Sequence, residues 1–329
     1  MYKYEWDEET GGVLLLPEQE KVSKEARPVY YRELDLLDFG KYFDYPKDDS
    51  APILWAQANR YYYRGKLLGK TIGGALFTRP SLDFTDSEVP AHTQLALVDV
   101  ETMLRKNAEL LQSLVQETVQ DIYHTFLSLK NKTDVIYVAF SGGKDSVVVL
   151  DLVQKTLPHD AFKVMFGDTD MELPATLELV EQLKEQCRRD GIEFLIAKSH
   201  FPSETSWKIF GPPARKLRWC CSVHKSVPVL NTLNALLGNP SKMRSVMMTG
   251  VRAGESDARS GYKKLSLGKK IAGQYSYHPI LDWSAIEVYL YIFARHLILN
   301  DAYRFGLNRV GCLMCPNASS RYEYVKRAV

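Results

Sequence analysis

The apolar run Val135-Ile136-Tyr137-Val138-Ala139-Phe140 passes without a linker into Ser141-Gly142-Gly143-Lys144-Asp145-Ser146, and apolar residues resume at Val147-Val148-Val149-Leu150. A segment apolar on both faces is what a strand inside a parallel sheet requires. The turn after it must be tight, and the next segment must be a helix that packs back on the sheet. The alternation continues. Strands are expected at Phe162–Phe166, Phe194–Ala197 and Ser245–Thr249, and helices at Val147–Thr156, Pro174–Asp190 and Ser284–His296. Strands separated by helices predict an α/β fold, a mostly parallel sheet with helices on both faces. Ligands of such sheets bind beyond the carboxyl ends of the strands, and the motifs below fall there.

Ahead of this core, spacings of three and four between about His92 and Lys130 predict a long amphipathic helix. Residues 1–90 lack that pattern and are rich in aromatics and turn formers. Leu54–Lys66 reads as a strand or short helix leading to a turn, and Lys70–Phe77 as the next strand. The expectation is a small N-terminal α+β accessory domain over 1–90 and a main domain over 91–329. A length of 329 residues suits two domains.

No apolar run approaches the roughly 18 residues of a membrane helix, so no membrane partner is expected. The first residues carry neither a basic start nor an apolar core, which leads to the expectation of a cytoplasmic protein. The net charge of +2, from 42 basic and 40 acidic side chains, excludes a global attraction to polyanions. Nucleic acid would need a local patch. Arg60-Tyr61-Tyr62-Tyr63-Arg64-Gly65-Lys66, with Lys70 behind it, offers cations for phosphates and rings for bases. The competing reading puts Tyr61 and Tyr63 on one strand face, packed into a core.

The Ser141–Ser146 loop has its own chemistry. Gly142 and Gly143 let the backbone approach an anion closely. The N–H groups and dipole of the following helix favour phosphate. Lys144 adds a cation, and Ser141 and Ser146 add hydroxyls. It is not the longer G-x-x-x-x-G-K-[ST] loop. It resembles the S-G-G-x-D-S pyrophosphate loop of the adenine nucleotide α-hydrolase superfamily. Those enzymes cleave between the α and β phosphates or bind an adenylylated sulfate. The alternative is a plain strand-to-helix turn.

Three further segments extend the resemblance to one family, the adenylyl-sulfate and phosphoadenylyl-sulfate reductases. Asp168-Thr169-Asp170-Met171-Glu172-Leu173-Pro174-Ala175-Thr176 looks like its D-T-G-x-x-F-P-E-T, departing at Asp170 and Ala175. The resemblance implies that Asp168 and Thr169 contact ribose or the adenine edge. Gly250-Val251-Arg252-Ala253-Gly254-Glu255-Ser256-Asp257-Ala258-Arg259 resembles G-x-R-x-x-[EQ]-S-x-x-R. Arg252 and Arg259 can fork onto phosphate or sulfate oxygens, with Glu255 orienting one of them. His278–Ser284 through Asn300–Tyr303 is similar to the family's approach to its last C-x-x-C. The likeness covers roughly residues 130 to 320. By it, Gly250, Glu255, Ser256 and Lys225 join the nucleotide site, and Lys144, Asp145, Arg252 and Arg259 are the candidate catalytic residues.

Five cysteines are too few for a disulfide framework in a chain this long, and their clustering reads as metal or redox chemistry. Cys220 and Cys221 are adjacent, and Cys312 and Cys315 form a C-x-x-C. Neighbouring side chains diverge, so a vicinal pair reaches one zinc ion awkwardly but suits two corners of a cubane. In the reductases that carry a cluster, this pattern holds four irons and four sulfurs, and the resemblance implies the same here. The related ATP pyrophosphatases of DNA phosphorothioation carry a similar set. Cys187, mid-helix, reads as a half-buried core thiol.

The chain departs from the reductases after Cys315, where Pro316 and Asn317–Val329 follow and the redox motif E-C-G-L-H does not occur. Three readings stand. The first is an ATP pyrophosphatase in sulfur transfer, assisted by Mg²⁺, which adenylylates an acceptor such as nucleic acid for a sulfur donor. The second is a sulfonucleotide reductase whose redox cysteine lies elsewhere, working with a redox protein. The third is a non-catalytic subunit that binds nucleotide and cluster.

Overall fold

Period-two alternation in Tyr2-Lys3-Tyr4-Glu5-Trp6 starts the chain as β1 (Tyr2–Asp7), paired antiparallel with β2 (Gly12–Gln19). The computed structural model describes residues 1–19, 25–74, 78–238, 242–268, 271–319 and 325–326. Two units divide the chain. One contains Met1–Leu114, Asp282–Arg309 and the described part of Ser319–Val329; the other contains Val115–Leu281 and Val310–Ala318. The division is not a single cut near residue 90. The long helix, Val100–Leu129, runs through the boundary, and the helix Ala285–Arg295 belongs with the N-terminal residues.

The first unit is built on an antiparallel sheet with the order β3 (Ala26–Val29), β4 (Leu54–Gln57), β5 (Arg60–Tyr63), β6 (Lys66–Ile72) and β7 (Ser81–Asp83). Ala75–Phe77, the end of the strand expected at Lys70–Phe77, lies outside the described residues. The core gathers Leu34, Phe39, Phe43, Ile53, Leu54, Tyr61 and Leu68. A buried charge is satisfied inside it. Arg27 pairs with Glu33 at 2.5 Å, and the Tyr61 hydroxyl donates to Glu33 at 2.8 Å.

That packing accounts for most of the basic and aromatic run. Tyr61 is fully buried and Tyr62 stacks on Trp6 at 5.0 Å. The Tyr63 hydroxyl accepts the Ala96 N–H at 3.2 Å. Arg64 donates to the carbonyls of Glu8 and Glu9, and Lys70 pairs with Asp83 and Asp86. Arg60 and Lys66 remain solvent-facing.

The second unit carries a six-stranded sheet. Its order is β10 (Glu193–Lys198), β9 (Lys163–Asp168), β8 (Val135–Phe140), β11 (Ser245–Met248), β13 (Gln274–Tyr277) and β12 (Leu265–Leu267). All pairings are parallel except β12 with β13. The α/β reading holds, and the expected β8 has the observed bounds. The chain leaves β8 through the helix Lys144–Thr156 towards β9 and β10, then returns on the other side of β8 as β11. The order therefore reverses between β8 and β11, which opens a crevice at their carboxyl ends. Among the described residues, no helix is long and apolar enough to cross a membrane.

Candidate functional site

The loop after β8 is held by its own serines. The Ser146 hydroxyl accepts the Ser141 N–H at 3.2 Å and donates to the Gly143 carbonyl at 2.8 Å. Gly142 sits at φ +71°, and a Cβ there would stand 2.6 Å from Cγ2 of Thr176. Gly143 is the N-cap of the helix Lys144–Thr156 and offers its first turn no side-chain acceptor. Helix starts of this kind favour anions through their N–H groups and dipole.

Lys144 and Arg252 converge on Asp145. The Lys144 ammonium donates to Asp145 Oδ2 at 2.7 Å, and Arg252 Nε donates to Oδ1 at 2.6 Å. Lys144 is 3% and Arg252 2% exposed. Burial alone would raise the Asp145 carboxyl, but the two cations overcome it and hold it down at about 2. Gly250 makes this contact possible from the β11 side. A Cβ on it would stand 2.5 Å from the Asp145 carbonyl carbon, so the two loops meet backbone to backbone.

Farther along the β11 loop, Glu255 accepts the Arg252 N–H at 3.2 Å and pairs with Arg259. Ser256 is exposed, and its carbonyl accepts the Arg259 N–H at 2.9 Å. The Thr249 hydroxyl and His278 Nδ1 lie 2.6 Å apart. Burial, seconded by the charge of Arg259, lowers the His278 pKa.

At the end of β9, Asp168 pairs with Lys198 at 3.0 Å and accepts the Asp170 N–H at 2.8 Å. Asp170 takes φ +62°, the left-handed conformation that the Gly of the motif adopts without cost. Its carboxylate accepts the Ser203 N–H and hydroxyl, both at 3.1 Å, at the start of the helix Ser203–Phe210.

Thr169 turns towards the cysteines. Its hydroxyl donates to Glu172 at 2.6 Å and lies 3.4 Å from Cys312 Sγ. Glu172, which the sequence reading passed over, is 9% exposed and stands 3.9 Å from the same sulfur. An acidic residue between a strand end and Leu173-Pro174 was its only signal.

Cys220 and Cys221 lie in the turn Trp219–Cys221, which continues through the π-helical Ser222–Ser226 into the helix Val227–Leu236. Burial, then the neighbouring Cys221 and Cys312 thiols, push Cys220 up to about 11. Lys225 reaches back to hydrogen-bond Cys312. The Cys315 N–H donates to the Cys312 carbonyl at 3.1 Å, and the Leu313 N–H donates to the Met171 carbonyl at 2.7 Å. Among the described residues, no three His, Cys, Asp or Glu side chains are placed to hold a single metal ion. Cys187 is fully buried rather than half-buried.

The family model described as phosphoadenosine phosphosulfate reductase domain matches residues 135–318. Two uncharacterized proteins of Methanocaldococcus jannaschii are each 30% identical, over 75% and 79% of this chain, and the chain spans 48% and 60% of their lengths. An adenosine 5′-phosphosulfate reductase of Halalkalibacterium halodurans is 27% identical over 56% of this chain and 76% of its own. Among solved structures, a phosphoadenylyl-sulfate reductase of Candida auris in a phosphate complex is 20% identical. It covers 62% of this chain and 93% of that one, with a TM-score of 0.45.

Proposed function

The chain belongs to the phosphoadenosine phosphosulfate reductase domain family, and on that premise we propose that it is an enzyme that binds ATP at the Ser141–Ser146 loop and releases pyrophosphate to prepare an acceptor for sulfur transfer. The observation that carries this reading is the convergence of Lys144 and Arg252 on Asp145 beside a helix start with no side-chain cap. An acceptor oxygen would attack the α-phosphorus, and the bond to the bridging oxygen would break with its electron pair leaving on pyrophosphate. The helix-start N–H groups and the two cations held together by Asp145 would place positive charge beside that leaving group.

In this reading Cys220, Cys221, Cys312 and Cys315 hold a four-iron four-sulfur cluster. The adjacent pair Cys220-Cys221 suits separate cluster corners better than one zinc ion. The cluster, when bound, would supply electron transfer or a sulfur-handling site. Thr169 and Lys225 would steady Cys312 by hydrogen bonds to its sulfur. The acceptor and the sulfur donor are other molecules. For a nucleic-acid acceptor, Arg60 and Lys66 are the solvent-facing cations of the N-terminal run.

A sulfonucleotide reductase is the second reading, favoured by the reductase of Halalkalibacterium halodurans. It requires an attacking thiol beyond the four cysteines. The test is an anaerobic assay of pyrophosphate release from ATP against sulfite release from adenylyl sulfate with a thiol reductant. Pyrophosphate alone supports the first reading and sulfite alone the second. Nucleotide binding with neither product would leave a non-catalytic subunit.

A further inference from the structure

Nucleotide cleavage commonly brings Mg²⁺ to the phosphates, and Asp145 is the sole carboxylate of the Ser141–Ser146 loop. The residues present do not suit a metal at that carboxylate. Oδ2 accepts from Lys144 at 2.7 Å and Oδ1 from Arg252 at 2.6 Å, so each oxygen already takes a charge-assisted bond. A divalent ion on either oxygen would stand beside two fixed positive charges, screened poorly because Lys144 and Arg252 are almost fully buried. The arrangement is also close-packed. Gly250 brings its backbone against Asp145 and Ser146, so Arg252 reaches the carboxylate from a loop in direct backbone contact with it.

We propose that Asp145 is a positioning residue, the internal counterion that holds Lys144 and Arg252 side by side at the junction of the β8 and β11 loops, and that it ligates no metal. The inference rests on the nucleotide reading above. Breaking one partner of this buried group would leave cations uncompensated, so the carboxylate sets where both point. Any Mg²⁺ then arrives on the nucleotide's own phosphate oxygens.

The experiment is a calorimetric titration of ATP into the full chain and into Asp145→Asn, each with Mg²⁺ and with EDTA. The expected result is a loss of affinity of about 10- to 100-fold in the variant, the same in both conditions. Mg²⁺ then changes ATP affinity by one common factor in parent and variant. A factor that is present in the parent and collapses in Asp145→Asn makes Asp145 a metal ligand and overturns the proposal. Arg252→Lys, which keeps the charge and shortens the reach, should show the same metal-independent loss and serves if the Asn variant does not fold. Mn²⁺ retained by the unaltered protein without nucleotide, and lost in Asp145→Asn, would also overturn it. A parent that binds no ATP in either condition refutes the nucleotide reading itself, a result distinct from these.

Discussion

The Thr169 hydroxyl lies 3.4 Å from the Cys312 sulfur, across 143 positions of sequence, and so ties the end of β9 to the cysteine loop. Asp168, its neighbour, ends the strand next to β8. The Ser141–Ser146 loop after β8 and Cys312 beside the end of β9 therefore lie at adjacent strand ends of one sheet. Replacing Thr169 by Val keeps the shape but leaves buried Glu172 without the hydroxyl donor at its Oε1. The expected cost is about 1–3 kcal/mol in urea unfolding, the penalty of a buried acceptor losing its partner. Thr169→Ser should recover most of it. Equal stability of the Val and Ser variants would contradict this account of Glu172.

Acid stability should register Asp145. Its carboxyl is held below its unfolded value of 3.8, at about 2, so the folded state binds this proton less readily. The stabilisation is complete above the unfolded value and is lost as pH falls from about 4 through about 2. Difference unfolding curves of the parent and Asp145→Asn should converge over that window. A difference that persists unchanged to pH 2 would mean that the pairing does not lower this carboxyl.

Two glycines should be intolerant for different reasons. Gly250→Ala forces a Cβ to 2.5 Å from the Asp145 carbonyl carbon, which is backbone and cannot rotate away. A loss of about 1–3 kcal/mol is expected, together with weaker nucleotide binding. Gly142→Ala meets a methyl of Thr176 at 2.6 Å and a strained φ of +71°. Adding Thr176→Ser removes the methyl and should restore part of the stability but not all of it. Full rescue would show that φ carries no strain.

Much of this was legible in the sequence, and the reasons differ by element. Val135–Phe140 declares itself because both faces are apolar, and Ser141–Ser146 because two glycines follow a strand. β12 and β13 were not legible. Leu265-Ser266-Leu267 and Gln274-Tyr275-Ser276-Tyr277 are short and half polar, and pairing defines them rather than composition. The helix Ser203–Phe210 was hidden too, since Ile209 and Phe210 are exposed and blur its apolar face. Within the site, the residue types were readable but their partners were not. Lys144 and Arg252 read as phosphate ligands, yet they are joined through Asp145 by a contact spanning 107 positions that no local pattern encodes. The reading of Thr169 at the ribose or adenine edge carries no sign in the sequence of its hydroxyl bond to Glu172.

Protein purified without air should be brown and hold about four irons per chain. Cys221→Ser and Cys312→Ser should lose the iron, while Cys187→Ser should keep it because that thiol is fully buried in the helix Pro174–Arg189. Iron analysis and the visible spectrum check this. Zinc without iron would remove the cluster from the proposal.

The central claim is that an adenine nucleotide sits on the Ser141–Ser146 loop. Calorimetric titration of ATP and of adenylyl sulfate into the parent and into Lys144→Ala tests it most directly. The account predicts that the parent binds at least one of the two, and that the variant, titrated well below its own melting temperature, loses about 1.5–3 kcal/mol of that affinity. Equal affinity in parent and variant would place the nucleotide elsewhere and contradict the account.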